Sequence, residues 1–197
     1  VQRLRVDVER LGRAERLQRA LFAISDLASS DEDTATVLHG LHEIVGRLMY
    51  AENFYIVRYS PERDTMRFIY FADSQDPITP DPEEELPATE MGNSLTLALI
   101  RHGKPVLGSA DQVRRELGVR RDESLGPDSV DWLGVPMLDD GVVRGAVVVQ
   151  SYDPESRYTE DDRALLGYVA QHILTALARR DAQEELERRV QERTREL

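Results

Sequence analysis

Cysteine is absent from all 197 residues. That absence excludes disulfides, thiolate metal sites, cysteine nucleophiles and thioether-linked chromophores, and makes a cytoplasmic location the expectation. Basic charge is scarce too. Lysine and arginine number 25 against 37 aspartates and glutamates, a net charge of −12, and the isoelectric point is near 4.8. No basic stripe is available for nucleic acid, and an anionic membrane surface would repel the chain. No apolar run approaches the ~20 residues that span a bilayer, and no secretory signal is present. There is no glycine-rich phosphate loop, no Ser–His–Asp set and no pair of carboxylates that stands apart from the general acidity. No catalysis and no cofactor are therefore expected. His39 and His42 lie three apart, followed by Glu43. They lack a third ligand and are expected as solvated side chains on a helix surface.

What the chain does have is clearest at residues 130–152. Two apolar runs flank Asp139-Asp140-Gly141, a tight-turn signal, because glycine takes φ > 0 without steric cost. Val147-Val148-Val149 is apolar on both faces, so its strand is predicted to be central and covered on both sides. Phe54 to Tyr59 and Met66 to Asp73 form a second predicted hairpin, with aromatic residues on both faces. Residues 74–90 hold four prolines and the acidic run Asp81 to Glu85. They are predicted to be a loop, either solvated or folded as a lid over a pocket. Asn93 or Ser94 caps a short helix that stops at His102-Gly103. A short edge strand at Lys104 to Leu107 and another short helix, 111–117, follow.

The ends are helical. From Leu4 through Val8, Leu11, Ala14, Leu17, Leu21, Ile24 and Ala28, apolar residues recur at steps of three and four. That narrow stripe suits either packing on the chain's own domain or a seam with a second copy. Ser29-Ser30-Asp31 stops this helix and caps the next, which runs to about Met49. The last helix starts at Thr159, with Asp162 at the capping-box position, and runs to Leu197. Its second half is charged, and Leu186, Val190 and Leu197 fit a heptad seam with Arg193 at a core position. A helix with so thin a stripe frays alone and makes sense paired. The start at Val1 and the charged helical end lead us to expect a piece of a longer protein.

The element order and several short motifs resemble the GAF domain family of sensing and dimerising modules. The resemblance rests on Ala51-Glu52-Asn53-Phe54-Tyr55-Ile56, Met91-Gly92-Asn93-Ser94-Leu95 and Gly103-Lys104-Pro105-Val106. It continues through residues 131–137, 145–152 and Tyr158-Thr159-Glu160-Asp161-Asp162. It implies an α+β fold: an antiparallel sheet of five or six strands, with helices on one face and short helices and loops around a ligand pocket on the other. It divides the chain into a signalling helix at 1–30, the domain at 31–177 and a linker helix at 178–197. Bilin-binding members and the methionine-sulfoxide reductases of this fold depend on cysteines, which this chain lacks. The Asn-Lys-Phe-Asp-Glu constellation of cyclic-nucleotide-binding members has no counterpart here. His102 is the sole candidate for a haem ligand and is expected to be a solvated helix-end residue. The pocket residues implied are Tyr55 or Tyr70, Met91, Ser94, Trp132 and Gln150, with plain core packing the alternative for the aromatics. A homodimer is expected through Leu4, Val8 and Leu11 at one end and Leu186, Val190 and Leu197 at the other. The tail 186–197 resembles linkers that lead into GGDEF or EAL modules, which make or break cyclic di-GMP, or into histidine kinases. The implied role is a non-catalytic sensor that binds an unknown small molecule and relays a signal through helices. A dimerisation element with a filled pocket is the alternative.

Overall fold

The computed structural model describes residues 1–197. Six antiparallel strands form one sheet in the order β3-β2-β1-β6-β5-β4. Its centre is the pair β5 (Asp131–Asp139) and β6 (Val142–Ser151), joined at Asp140 and Gly141, both with positive φ. β6 lies between β5 and β1 (Asn53–Ser60). β2 (Thr65–Ala72) pairs with β1, and the two-residue β3 (Leu86–Pro87) lies at the outer edge, where a proline is tolerated. β4 (Val106–Gly108) closes the other edge against β5.

The period-2 alternation of β6 divides the interior. Val147 and Val149 point to one core, Ala146 and Val148 to the other. The first core is the larger. It packs α2 (Thr34–Leu48), α5 (Glu160–Glu196) and the last turns of α1 (Gln2–Ala28) on Phe54, Ile56, Leu133, Val135 and Met137. The second packs α3 (Leu95–His102) and α4 (Ala110–Leu117) on Tyr55, Val57, Met66 and Trp132. All five residues from Trp132 to Pro136 are buried, as in a strand covered on both faces.

Caps fix the helix ends. Ser94 accepts from Leu97 N–H, Gly103 closes α3 in the left-handed region, and Thr159 and Asp162 form a reciprocal capping box on α5. The cap of α2 is Asp33 rather than the earlier Ser29-Ser30-Asp31, because its carboxylate accepts from Thr36 N–H at 2.8 Å. Buried polar groups tie the layers together. Asn53 donates to Gln150 O and accepts from Ser74 N–H, fastening β1 to β6 and to the loop after β2. Asp131 accepts from Tyr158 N–H at 2.7 Å, and Tyr158 O–H donates to Tyr50 O. Together these bonds hold the approach to α5 against the start of the sheet.

The terminal helices run the same way. Arg13 meets Asp161 near the start of α5, and Arg180 donates to the carbonyls of Ala28, Ser30 and Glu32 at the end of α1. The first turns of α1 and the last turns of α5 therefore project from opposite ends of the fold. Ala20, Ile24 and Ala28 are buried in the domain, so the last turns of α1 belong to the core rather than to a free-standing helix. No helix is long and apolar enough to cross a membrane.

Gly145 is fixed by close approach. A Cβ there would lie 2.2 Å from Val57 O and 2.5 Å from Met137 Cε. Because the nearer atom is sheet backbone, Gly145→Ala is expected to lower stability by about 2 kcal/mol. Denaturant melts should show this, while Gly46→Ala, which meets nothing within 4 Å, should be neutral or stabilising.

Candidate functional site

A cavity of about 500 Å³ opens on the α3–α4 side of the sheet. This size suits a small organic ligand. Its floor is the outward face of the central strands, where Tyr55, Trp132 and Gln150 come together. Register explains the meeting: Asn53 and Trp132 are both cross-strand partners of Gln150. Phe68 and Phe71 extend the floor. Their ring centroids lie 5.8 and 5.5 Å from that of Tyr55 and 6.0 Å from each other, within aromatic contact. Met91, Ser94 and Thr96 form one wall. Asp76, Pro77, Ile78 and Pro80, from the proline-rich segment, also line the cavity.

The far wall is residues 120–129, held by a pair the sequence did not disclose. The Arg114 guanidinium, on α4, donates to both carboxylate oxygens of Asp128, at 2.7 and 3.0 Å, and to Asp111 at 2.6 Å. This bidentate fork pins the loop to the helix. It also holds the Asp128 carboxyl below its ordinary range and raises Arg114. Its sole sequence signal was an arginine three residues after an aspartate on a short helix, which is commonplace on solvated surfaces.

Several of the site's polar groups already have partners. Gln150 Nε2 donates to Asp73 at 2.6 Å, and Tyr152 O–H donates to the same oxygen at 3.0 Å. Ser94 caps α3. The Tyr55 hydroxyl lies 3.2 Å from Thr96 Oγ1. Burial pushes the Tyr55 phenol up to about 12, and burial beside Asp73 raises Tyr152. Chemically, the cavity offers an aromatic floor, carboxylates at Asp76, Asp122 and Glu123, and the Arg120 guanidinium. On the loop wall the Ser124 hydroxyl donates to the Asp122 carboxylate at 2.6 Å.

Of the residues expected here, Tyr55, Met91, Ser94, Trp132 and Gln150 line the cavity and Tyr70 does not. Tyr70 pairs with Ile56 across the strands and so points to the helix face. There its hydroxyl lies 2.6 Å from His42 Nδ1. His42 therefore departs from the solvated side chain expected of it. Its ring stacks on Phe54 at 5.0 Å, and Nε2 lies 2.5 Å from Ala51 O. A carbonyl only accepts, so Nε2 carries a hydrogen, and in the neutral ring Nδ1 accepts from Tyr70. Both ring nitrogens are occupied, which removes His42 from metal ligation. His39 remains exposed, 3.4 Å from Glu43. His102, also exposed, does not line the cavity.

Tyrosine ionisation reads this burial directly. Tyr55 ionises near 12 when folded and near 10 when unfolded. The raised folded value contributes stability that is complete below pH ~10 and is lost as pH rises towards 12. A spectrophotometric titration should resolve late-ionising tyrosines among the seven. Tyr55→Phe should remove one and soften the alkaline loss. Seven tyrosines all titrating near 10 in the folded protein would contradict the buried floor.

The architecture has close parallels among solved structures. The GAF domain of a phosphoenolpyruvate-protein phosphotransferase from Coxiella burnetii superposes with a TM-score of 0.65 at 14% identity, over 87% of this chain and 98% of that one. A methyl-accepting chemotaxis protein, residues 122 to 287, gives 0.62 at 14% identity, over 79% and 95%. The GAF domain of a two-component sensor histidine kinase from Bacillus halodurans gives 0.58 at 12%, over 77% and 98%. These likenesses establish the fold alone. No curated protein matches the chain in sequence. The GAF domain family model matches residues 31–178, which takes in the whole sheet and the cavity; the chain belongs to the GAF domain family.

Proposed function

We propose that this GAF domain is a non-catalytic sensor that takes a small organic molecule into the aromatic cavity and passes the binding signal through α5. The observation that carries the reading is the division of the sheet. The cavity lies on one face and α1 and α5 on the other, separated by one layer of strands. Ala146 and Val148 touch the cavity-side core, while Val147 and Val149 touch the helices. A close-packed layer transmits displacement because it has no slack to absorb it.

The output is proposed to pass through paired helices of two copies. At roughly 100° per residue, the exposed Leu4, Val8, Leu11 and Phe22 fall on the side of α1 opposite Ala20 and Ile24. Exposed Tyr168, Leu186, Val190 and Leu197 likewise face away from the buried side of α5. The fold itself leaves both stripes uncovered, which favours a second copy as their cover. The tail's resemblance to linkers of cyclic di-GMP enzymes makes synthesis or hydrolysis of that nucleotide the proposed output. A cyclase needs two active sites brought together, which a dimeric helical relay supplies.

Two measurements test this reading. In sedimentation, the chain should be a dimer that Leu186→Glu with Val190→Glu converts to monomer without lowering the melting point of the domain. A chain that stays monomeric at high concentration sinks the relay. In a thermal-shift screen of nucleotides and metabolites, a ligand at ~100 times its Kd should add about 2.7 kcal/mol, a shift of several degrees. Phe68→Ala and Asp76→Asn should shrink the shift. Tyr70→Phe, on the opposite face, should leave it unchanged.

A further inference from the structure

A second opening, of about 740 Å³, lies on the helix side of the sheet where α5 leaves the domain. The turn ends of β1, β2 and β6 form one wall, and α5 from Gln171 to Ala182 forms the other. Five arginines line it: Arg58, Arg63, Arg67, Arg144 and Arg179. Four carboxylates, Glu62, Glu85, Asp139 and Asp181, share the lining, so the opening carries one net positive charge in a chain of net charge −12.

Three of the arginines are paired: Arg58 with Asp181 at 2.6 Å, Arg63 with Glu85 at 2.5 Å and Arg144 with Glu62 at 2.8 Å. Arg67 and Arg179 have no carboxylate at ion-pair distance. Arg67 is also costly where it stands. It is the direct cross-strand partner of Arg58, and like charges in that position repel. Its Nε is buried without a hydrogen-bond partner. A buried unmet donor costs free energy that apolar or neutral side chains would avoid. Two arginines on opposed positions of neighbouring strands, both lining the opening and one of them without a carboxylate partner, complement a doubly charged tetrahedral oxyanion.

We infer that this opening binds the phosphoryl group of a small molecule between Arg58 and Arg67. Asp181 is then its competitor, because it occupies Arg58 in the unliganded chain. The competition has a mechanical consequence. Arg180 and Asp181 are consecutive on α5, one bonded to the end of α1 and the other to the sheet. Past Ala182, α5 projects free of the fold. An anion that takes Arg58 from Asp181 releases the sheet-side half of this clamp at the point where the helix exits. The site lies across the sheet from the aromatic cavity and does not depend on whether that cavity takes a ligand.

Isothermal titration of the 197-residue chain with inorganic pyrophosphate at constant ionic strength tests the inference. Saturable one-to-one binding is expected. Arg67→Gln should weaken it about tenfold or more, the value of a lost charge-assisted pair. That variant should melt no lower than the parent, since it relieves the opposed arginines, so lost binding cannot be ascribed to unfolding. Asp181→Asn should tighten binding by removing the competitor. Glu184→Gln, the same charge change on an exposed neighbour, should not. Absence of saturable heat in the millimolar range overturns the inference. So does binding that is indifferent to Arg67→Gln, or that responds equally to Asp181→Asn and Glu184→Gln.

Discussion

The two-sided burial of β6 is the constraint on which the rest of the fold depends. A strand apolar on both faces cannot lie at a surface or an edge. It needs a strand on each side for its backbone and a layer on each face for its side chains. β1 and β5 supply the strands, α2 and α5 one layer, and α3, α4 and the covering loops the other. Gly145 shows how tightly the arrangement closes, because the Val57 carbonyl occupies the space a side chain would need.

The layers are unlike, and that is what makes the domain suited to regulation. The helix side is apolar packing that gives way to the arginine-lined opening only where α5 leaves the domain. The other side is an aromatic floor with a cavity above it, its walls drawn from short helices and loops. The polar fastenings lie at the margins: Asn53 and Asp131 at the strand starts, Arg114 on the loop wall, Arg180 where α1 ends. Each satisfies backbone or carboxylate groups that burial would otherwise leave unmet.

Opposite projection of the terminal helices gives the domain an axis. α1 enters and α5 leaves along parallel directions, and both carry their exposed apolar stripes on the side away from the core. The arginine-lined opening sits at the exit of that axis, where the clamp at Arg180 and Asp181 is the last contact before the helix projects.

Much of this was legible in the chain itself. The Asp-Gly turn, the valine run, the Gly103 stop and the Thr159 cap are local signals whose chemistry acts within a few residues, so the sequence alone determined them. Absence of cysteine closed whole classes of chemistry in the same way. The side of the sheet on which a residue falls is different, because it depends on the pairing between strands. Tyr55 pairs with Phe71, and that register sends Tyr70 to the helices. With it goes His42, drawn from the expected surface into a bond with Tyr70 and a stack on Phe54. The Arg114–Asp128 fork and the opposed Arg58 and Arg67 likewise join residues that carry no mark of each other in sequence. Short-range sterics and capping acted through the sequence; register and long-range charge pairing existed only once the sheet had closed.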